Sequence, residues 1–397
     1  MKDKGYPREF YYLVASSFMI YLALESTRPI LPLHITEKGA SAFELGIVIG
    51  IFSICTMIAK MPLGKVTELM KRKYVLIFAA VGQSTSQLLY SIAPSPEWFY
   101  PIRILHAVTM APLFPVAFTI SQEMAPSNRS GDATGKITAA YGLGTMVGPF
   151  LCSFLLSFMD YDQLFQAVAI FPILGLFLLF GRGEEKQVAR TSGITEGSSD
   201  SFLNHLRQSR NLKVLAYLRF SHSLAYAFFL TFFVIYAENT LAIAPALIAF
   251  LFGVKGTADL MLRIPAGKMG DRWNYKWMLA TAFAALSLFY LLISEAEKIP
   301  LLIGLMVLLG LAISLRVVSE YVVLSESSSP KTRNMAASYL STVFYVGSSC
   351  GAILAGVLAS YLPIPIIFKG ASVLLATGLI GVVFLKRPDK SWNADNS

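Results

Sequence analysis

Stretches of roughly twenty mostly apolar residues follow one another along almost the whole chain, at 10–34, 43–63, 74–94, 97–120, 137–159, 163–181, 213–236, 244–264, 276–294, 300–323, 336–361 and 365–386. About 20 helical residues cross a hydrocarbon core of about 30 Å. Lipid offers no partner to a backbone N–H or C=O, so each stretch is expected to be a helix. No stretch alternates apolar and polar residues with period two, which excludes a β-barrel. The composition agrees, with 55% hydrophobic residues, 14% charged residues and a mean hydropathy of +0.59. The expected fold is therefore an all-α integral membrane protein with twelve transmembrane helices.

The first stretch follows Lys2, Lys4 and Arg8 but exceeds the apolar core of a signal peptide and contains Glu25 and Arg28, so it is expected to remain as a span. Cys55, Cys152 and Cys350 all fall inside apolar stretches, without the spacing of a disulfide framework or a zinc site. They are read as packing residues. The chain carries 33 Lys and Arg. With the N-terminus inside, twenty-five lie on cytoplasmic tails, loops and helix ends, while only Lys38, Lys298 and Lys369 lie outside and five lie within spans. Both termini are then cytoplasmic. The formal charge of +9 is explained by anionic lipid at the inner membrane surface and needs no nucleic acid.

The chain also repeats itself. MPLGKVTELMKRKY at 61–74 and IPAGKMGDRWNYKW at 264–277 place Pro62, Gly64, Lys65, Glu68 and Lys73 opposite Pro265, Gly267, Lys268, Asp271 and Lys276, each 203 positions on. Gly144 and Gly148 of the fifth stretch correspond by the same offset to Gly347 and Gly351 of the eleventh. Small residues four apart let helix backbones approach closely. Between the copies lies a polar, Ser- and Gly-rich segment ending in SFLNHLRQSRNLKVL, whose leucines among basic residues suit an amphipathic surface helix. The expected organisation is a six-helix bundle at 1–181, a cytoplasmic linker at 182–212 and a second six-helix bundle at 213–397. This is the parallel-repeat plan of a transporter.

GKMGDRWNYK at 267–276, lying between the eighth and ninth stretches, resembles the loop signature of the major facilitator superfamily. The copy at 64–73 is degraded, with Leu69 after Glu68 and Lys71 in place of glycine. RILHAVTMA in the fourth stretch is similar to the family's Arg-bearing fourth helix through Arg103, although His106 and Ala107 stand where Gln and Gly are usual. Gly135, Gly144, Gly148 and Pro149 resemble the fifth-helix pattern of the proton-coupled drug exporters, with Cys152 and Ser153 replacing its closing glycines. The resemblance runs from end to end of the chain. It implies a gating motif of Gly64, Lys65, Glu68, Gly267, Lys268, Asp271 and Arg272, together with Gly144, Gly148 and Pro149. Physically, Gly64 and Gly267 are expected to permit tight contact, and Glu68 and Asp271 to pair with neighbouring bases or a helix N-terminus as an inner latch, the intact second copy bearing more of it. A static turn is the simpler alternative.

Ionisable residues at membrane depth cost at least about 2.5 kcal/mol each and point to function. Here they are Glu25, Arg28, Arg103, Arg219, Lys255, Asp259, Arg316 and Glu320, joined by His106, His222 and Tyr226. In the superfamily, spans one, four, seven and ten line the cavity, and most of these residues follow that division. Glu25 with Arg28, Lys255 with Asp259 and Arg316 with Glu320 are three or four apart on one helix face. At 1.5 Å per residue Glu25 falls near the midplane, about 15 Å deep, at a level from which Arg103 is expected to meet it. Arg219 and Glu320 reach a common depth near the inner face, where they are expected to close a gate. Tyr21, Met110, Phe114, Tyr226 and Tyr345 are expected either to line a lipophilic cavity or to serve as packing.

A carboxylate among apolar walls favours its neutral form and a neighbouring arginine favours its charged form, which makes Glu25 the expected proton carrier. The expected function is a secondary active transporter working by alternating access, with a small-molecule substrate. Proton-coupled efflux by drug or metabolite antiport stands first. Symport of an organic anion or sugar is the alternative within transport, and a non-transporting membrane sensor or scaffold the alternative of another class. No phosphate loop, metal-spaced histidines or serine elbow is present, so neither an enzyme nor a metal or other cofactor is expected beyond the proton gradient as energy source. Partners are protons and membrane lipid, with a monomer in the cell membrane.

Overall fold

A computed structural model describes residues 5–69, 72–126, 129–180, 209–272, 274–329 and 332–386, with side chains left out at 61–69, 180 and 270–272. The described residues form fifteen α-helices. They are α1 Arg8–Thr27, α2 Leu31–Glu37, α3 Ala42–Leu69, α4 Arg72–Ser91, α5 Phe99–Met110, α6 Leu113–Glu123, α7 Ser130–Leu155, α8 Tyr161–Val168, α9 Ile170–Phe180, α10 Arg210–Asn239, α11 Pro245–Arg272, α12 Tyr275–Ile293, α13 Ile299–Glu326, α14 Arg333–Ala359 and α15 Ile364–Val383. Helix occupies every one of the twelve expected segments, and no strand occurs among the described residues. Three segments are each split in two. The breaks fall at Arg28, Ala111 and Ala169, three or four residues before Pro32, Pro115 and Pro172, whose missing N–H leaves the carbonyl four residues earlier without its helical partner. Pro149 and Pro265, by contrast, sit within unbroken helices.

Among the described residues, ten helical stretches are long and apolar enough to cross a membrane. The first and third expected segments are not among them. Helix α1 carries Glu9 and Glu25, while α4 has a polar buried face of Gln83, Ser84, Ser86, Gln87 and Ser91. The hydrophilic side of α4 faces protein, which is why a hydropathy average undervalues it.

Two compact units emerge, one of residues 1–189 with 231–256 and one of 190–230 with 257–397. The expected boundaries at 181 and 213 follow the chain, whereas this grouping divides α10 and α11 along their lengths. In the first unit α1 packs on α7 and α9, and α4 on α5, α8 and α9. Its core gathers Leu13, Ile20, Leu76, Val116, Ala117 and Ile137. In the second unit α12 packs on α13 and α15. There Asn211 donates to Ser327 Oγ (3.1 Å) and to the Lys386 carbonyl (3.1 Å), and accepts from the Lys386 N–H (2.9 Å).

The glycine repeat has a matching role in both units. A Cβ at Gly148 would lie 2.8 Å from the Ser26 nitrogen, and one at Gly144 would lie 2.9 Å from Tyr21 Cβ. A Cβ at Gly351 would lie 2.8 Å from Leu224 Cα and one at Gly347 would lie 2.9 Å from the Phe220 carbonyl oxygen. Thus α7 closes on α1 as α14 closes on α10, and any larger residue at these positions would hold the backbones apart.

The loop motif differs from expectation. Helix α3 runs to Leu69 and α11 to Arg272, so Gly64, Lys65, Glu68, Asp271 and Arg272 have helical backbones, and their side chains lie outside the described residues where they fall in 61–69 and 270–272. Gly267 faces open space, with nothing within 4 Å of an added Cβ, so it makes no tight contact. Lys268 is exposed. The amphipathic segment at 201–208 lies outside the described residues.

Candidate functional site

The buried charges fall into a group in each unit. In the first unit, α1 places Glu25 only 4% exposed, beside the glycine face of α7. Arg28 Nη1 donates to Glu25 Oε1 at 2.7 Å. The partners differ in surroundings, since the Arg28 side chain is 41% exposed and that of Glu25 is 6% exposed. The carboxylate is fixed in protein and its cation reaches outward.

Arg103 does not meet Glu25. Its Nε donates to the Val48 carbonyl at 3.1 Å and its Nη2 to the Ile49 carbonyl at 3.3 Å, with the guanidinium carbon 4.5 Å from the Phe52 ring centroid. Glu25 is already satisfied three residues along its own helix, and α5 turns Arg103 towards α3. His106, one turn on, follows the same face. Its Nε2 bonds Gln83 Oε1 and its Nδ1 lies 3.1 Å from the Tyr90 hydroxyl. Because the Gln83 oxygen can only accept, Nε2 carries the proton and Nδ1 accepts from Tyr90. Tyr90 also presents its carbonyl 2.9 Å from His34 Nε2. His34 is fully buried, with Asp162 Oδ1 at 3.6 Å and Lys38 bonded to Asp162 at 3.1 Å.

Gln83, Tyr90 and His34 escaped the sequence reading. The signal was GQSTSQLLYS, a polar series inside an otherwise apolar span. The expected lining residue Met110 belongs to the apolar core, as does Tyr21, whose ring meets Tyr141 edge-on at 5.0 Å. Phe114 is exposed and stacks on Phe118 at 6.1 Å.

In the second unit α13 carries Glu320, 1% exposed, between two arginines. Arg316 Nη1 donates to Oε1 from one turn back on the same helix, and Arg219 Nη1 of α10 lies 3.2 Å from Oε2. Both expected pairings of Glu320 therefore exist together. His222 and Tyr226 stack on each other at 5.6 Å, one turn above Arg219 on α10. Asp259 differs from expectation. Arg263, one turn further along α11 and read from the sequence as a helix-end base, holds it with two hydrogen bonds of 3.2 and 2.9 Å. Lys255 is buried on the same helix. Tyr345 lies half-buried on α14 beside Phe344. Cys152 is buried, while Cys350 is exposed and therefore does not pack within protein. No group of His, Cys, Asp or Glu able to hold a metal occurs among the described residues.

Such an arrangement has no nucleophile or acid–base pair directed at a bound reactant. Among the described residues it offers instead buried carboxylates held by arginines on closely packed helices, Glu25 by Arg28, Asp259 by Arg263 and Glu320 by Arg316 and Arg219.

Comparison with known proteins agrees. The family model described as Major Facilitator Superfamily matches residues 13–239 and again 215–397. An uncharacterised MFS-type transporter of Methanocaldococcus jannaschii is 22% identical over 94% of this chain and 97% of its own length. Multidrug resistance protein 2 of Bacillus subtilis is 21% identical, covering 96% of both chains. Among solved structures, the nucleoside transporter NupG superposes with a TM-score of 0.79 at 15% identity, covering 95% of this chain and 100% of its own.

Proposed function

Because the chain belongs to the major facilitator superfamily and is thus a secondary transporter and not an enzyme, we propose that it expels a lipophilic small molecule in exchange for protons, by alternating access. The observation that carries the reading is the unequal Glu25 and Arg28 pair, a buried carboxylate whose base is 41% exposed at 2.7 Å. A carboxylate in apolar surroundings that loses its cation favours the protonated form. A substrate that binds only while Arg28 is paired with the charged Glu25 would displace the proton, and protonation of Glu25 would free Arg28 and release the substrate, as exchange requires. Coupling requires such mutual dependence of two binding events. The packing of Gly148 on Glu25 and Ser26 links the pair to the position of α7. The choice of drug-like substrates is supported by the Bacillus subtilis relative, which is named a multidrug resistance protein. Residence in the cell membrane with both termini cytoplasmic is supported by the distribution of Lys and Arg.

The test uses purified protein in liposomes with an imposed pH gradient, on compounds found by thermal-shift screening. Glu25→Gln is expected to abolish gradient-driven accumulation while leaving substrate exchange across the bilayer intact. Unchanged proton-driven accumulation in this variant would overturn the assignment of Glu25. A second reading, uptake of an organic anion by symport, rests on five basic residues against three acidic ones within the expected spans. It predicts accumulation in the same direction as proton flow. Absence of any flux across a broad compound set would favour a sensor or scaffold.

A further inference from the structure

In the second unit, a groove of about 520 Å³ runs between the first turns of α10 and the last turns of α15. It is lined by Arg210 and Lys213 together with the apolar surfaces of Val214, Tyr217, Ile380 and Phe384. We propose that this groove binds one anionic phospholipid, its phosphate between Arg210 and Lys213 and an acyl chain along the apolar walls. Both cations lie where the chain enters a membrane-spanning helix, and so at the level of lipid headgroups. The walls continue into the hydrocarbon. Tyr217 is 41% exposed, Phe384 50% and Ile380 61%, on helices whose outer surface meets lipid.

Three features give the site a fixed shape. The Arg210 guanidinium lies 5.2 Å from the Phe384 ring centroid, which holds the cation over the groove. The Tyr217 hydroxyl bonds Thr377 Oγ1 across the floor. Asn211, next to Arg210, bonds both the N–H and the carbonyl of Lys386, tying the two helix ends together. The charge pattern selects the ligand. A guanidinium and an ammonium match a phosphodiester with no cation of its own, whereas the choline of a zwitterionic headgroup would add a third positive charge. The apolar length of the groove favours a lipid over a free anion.

Native mass spectrometry of the full-length protein, titrated with phosphatidylglycerol or phosphatidylcholine, tests the proposal. Wild type is expected to retain one phosphatidylglycerol in preference to phosphatidylcholine. Arg210→Ala with Lys213→Ala should weaken that retention by on the order of tenfold or more. Arg210→Lys with Lys213→Arg should keep most of it, and Lys298→Ala with Lys369→Ala, remote from the groove, should change nothing. Ile380→Trp leaves both cations and sits on an exposed position, so it folds independently of the charge variants and is expected to exclude the lipid. Equal retention by a folded double-alanine variant would overturn the site. So would equal retention by Ile380→Trp, or displacement of the lipid by millimolar inorganic phosphate, since each reduces the groove to a surface anion contact.

Discussion

Glu320 shows how a buried charge is controlled by its neighbours. It accepts from Arg316 on its own helix and faces Arg219 of α10 at 3.2 Å, and Arg316 is itself only 3% exposed. Removing one member of a buried pair leaves an uncompensated charge and costs about 3–5 kcal/mol. Glu320→Ala strands two arginines and should cost the full amount, whereas Arg219→Ala leaves the Arg316 pair intact and should cost less than half as much, measured as thermal stability in detergent. The shared carboxylate also decides the charge exchange. Arg219→Glu with Glu320→Arg places two arginines four residues apart, so transport should recover only when Arg316→Gln is added. Full recovery by the two-residue exchange alone would mean that Arg316 and Glu320 do not act as a pair.

Individual helices are positioned by where they lack side chains. Gly148 seats α7 on the Glu25 and Ser26 backbone, and Gly351 seats α14 on Leu224 and Ala227. Gly148→Leu and Gly351→Leu should each push a helix pair apart, lowering folded yield and transport together. Gly267 belongs to the motif that carries the family resemblance, yet it faces open space. Gly267→Ala should therefore leave folded yield and melting temperature unchanged, or raise stability slightly through better helix propensity. A loss of folded protein in this variant would show that the position meets a neighbour in another state of the cycle. The polar face of α4 makes the same point from the opposite side. Gln87 Nε2 donates to Thr27 Oγ1 of α1 at 3.0 Å, and Ser84 donates to the Ala169 carbonyl between α8 and α9 at 2.8 Å.

At the scale of the whole molecule, the bias of basic residues gives the orientation a direct test. Single cysteines introduced at Lys298 and Lys369 into a background lacking Cys55, Cys152 and Cys350 should react with a membrane-impermeant maleimide in intact cells. Cysteines at Lys136 and Lys268 should react only after the membrane is opened. The reverse pattern would invert the topology and with it the direction assigned to transport. Lys369, in the second turn of α15, also lies beside Glu295 just past the end of α12, as expected for two helix ends on one side.

The sequence by itself determined what depends on solvent and on covalent order. Apolar length dictates helix in lipid, Lys and Arg in loops set the expected orientation, and the 203-residue offset announces two related halves, because each of these needs only the composition of a segment and its place along the chain. Same-helix pairs such as Glu25 with Arg28 were legible for the same reason, since helical period alone brings them together. Only the tertiary structure decided which way a side chain turns once its helix is packed. Arg103 and Glu25 were expected to meet across the cavity, but the packing of α5 brings the arginine to the Val48 and Ile49 carbonyls and His106 to Gln83 and Tyr90. Asp259 had bases four residues away on either side, and local geometry brings Arg263 onto it. Depth and spacing follow from the rise per residue, whereas rotation about the helix axis is fixed by which neighbouring helix approaches and where small residues admit it.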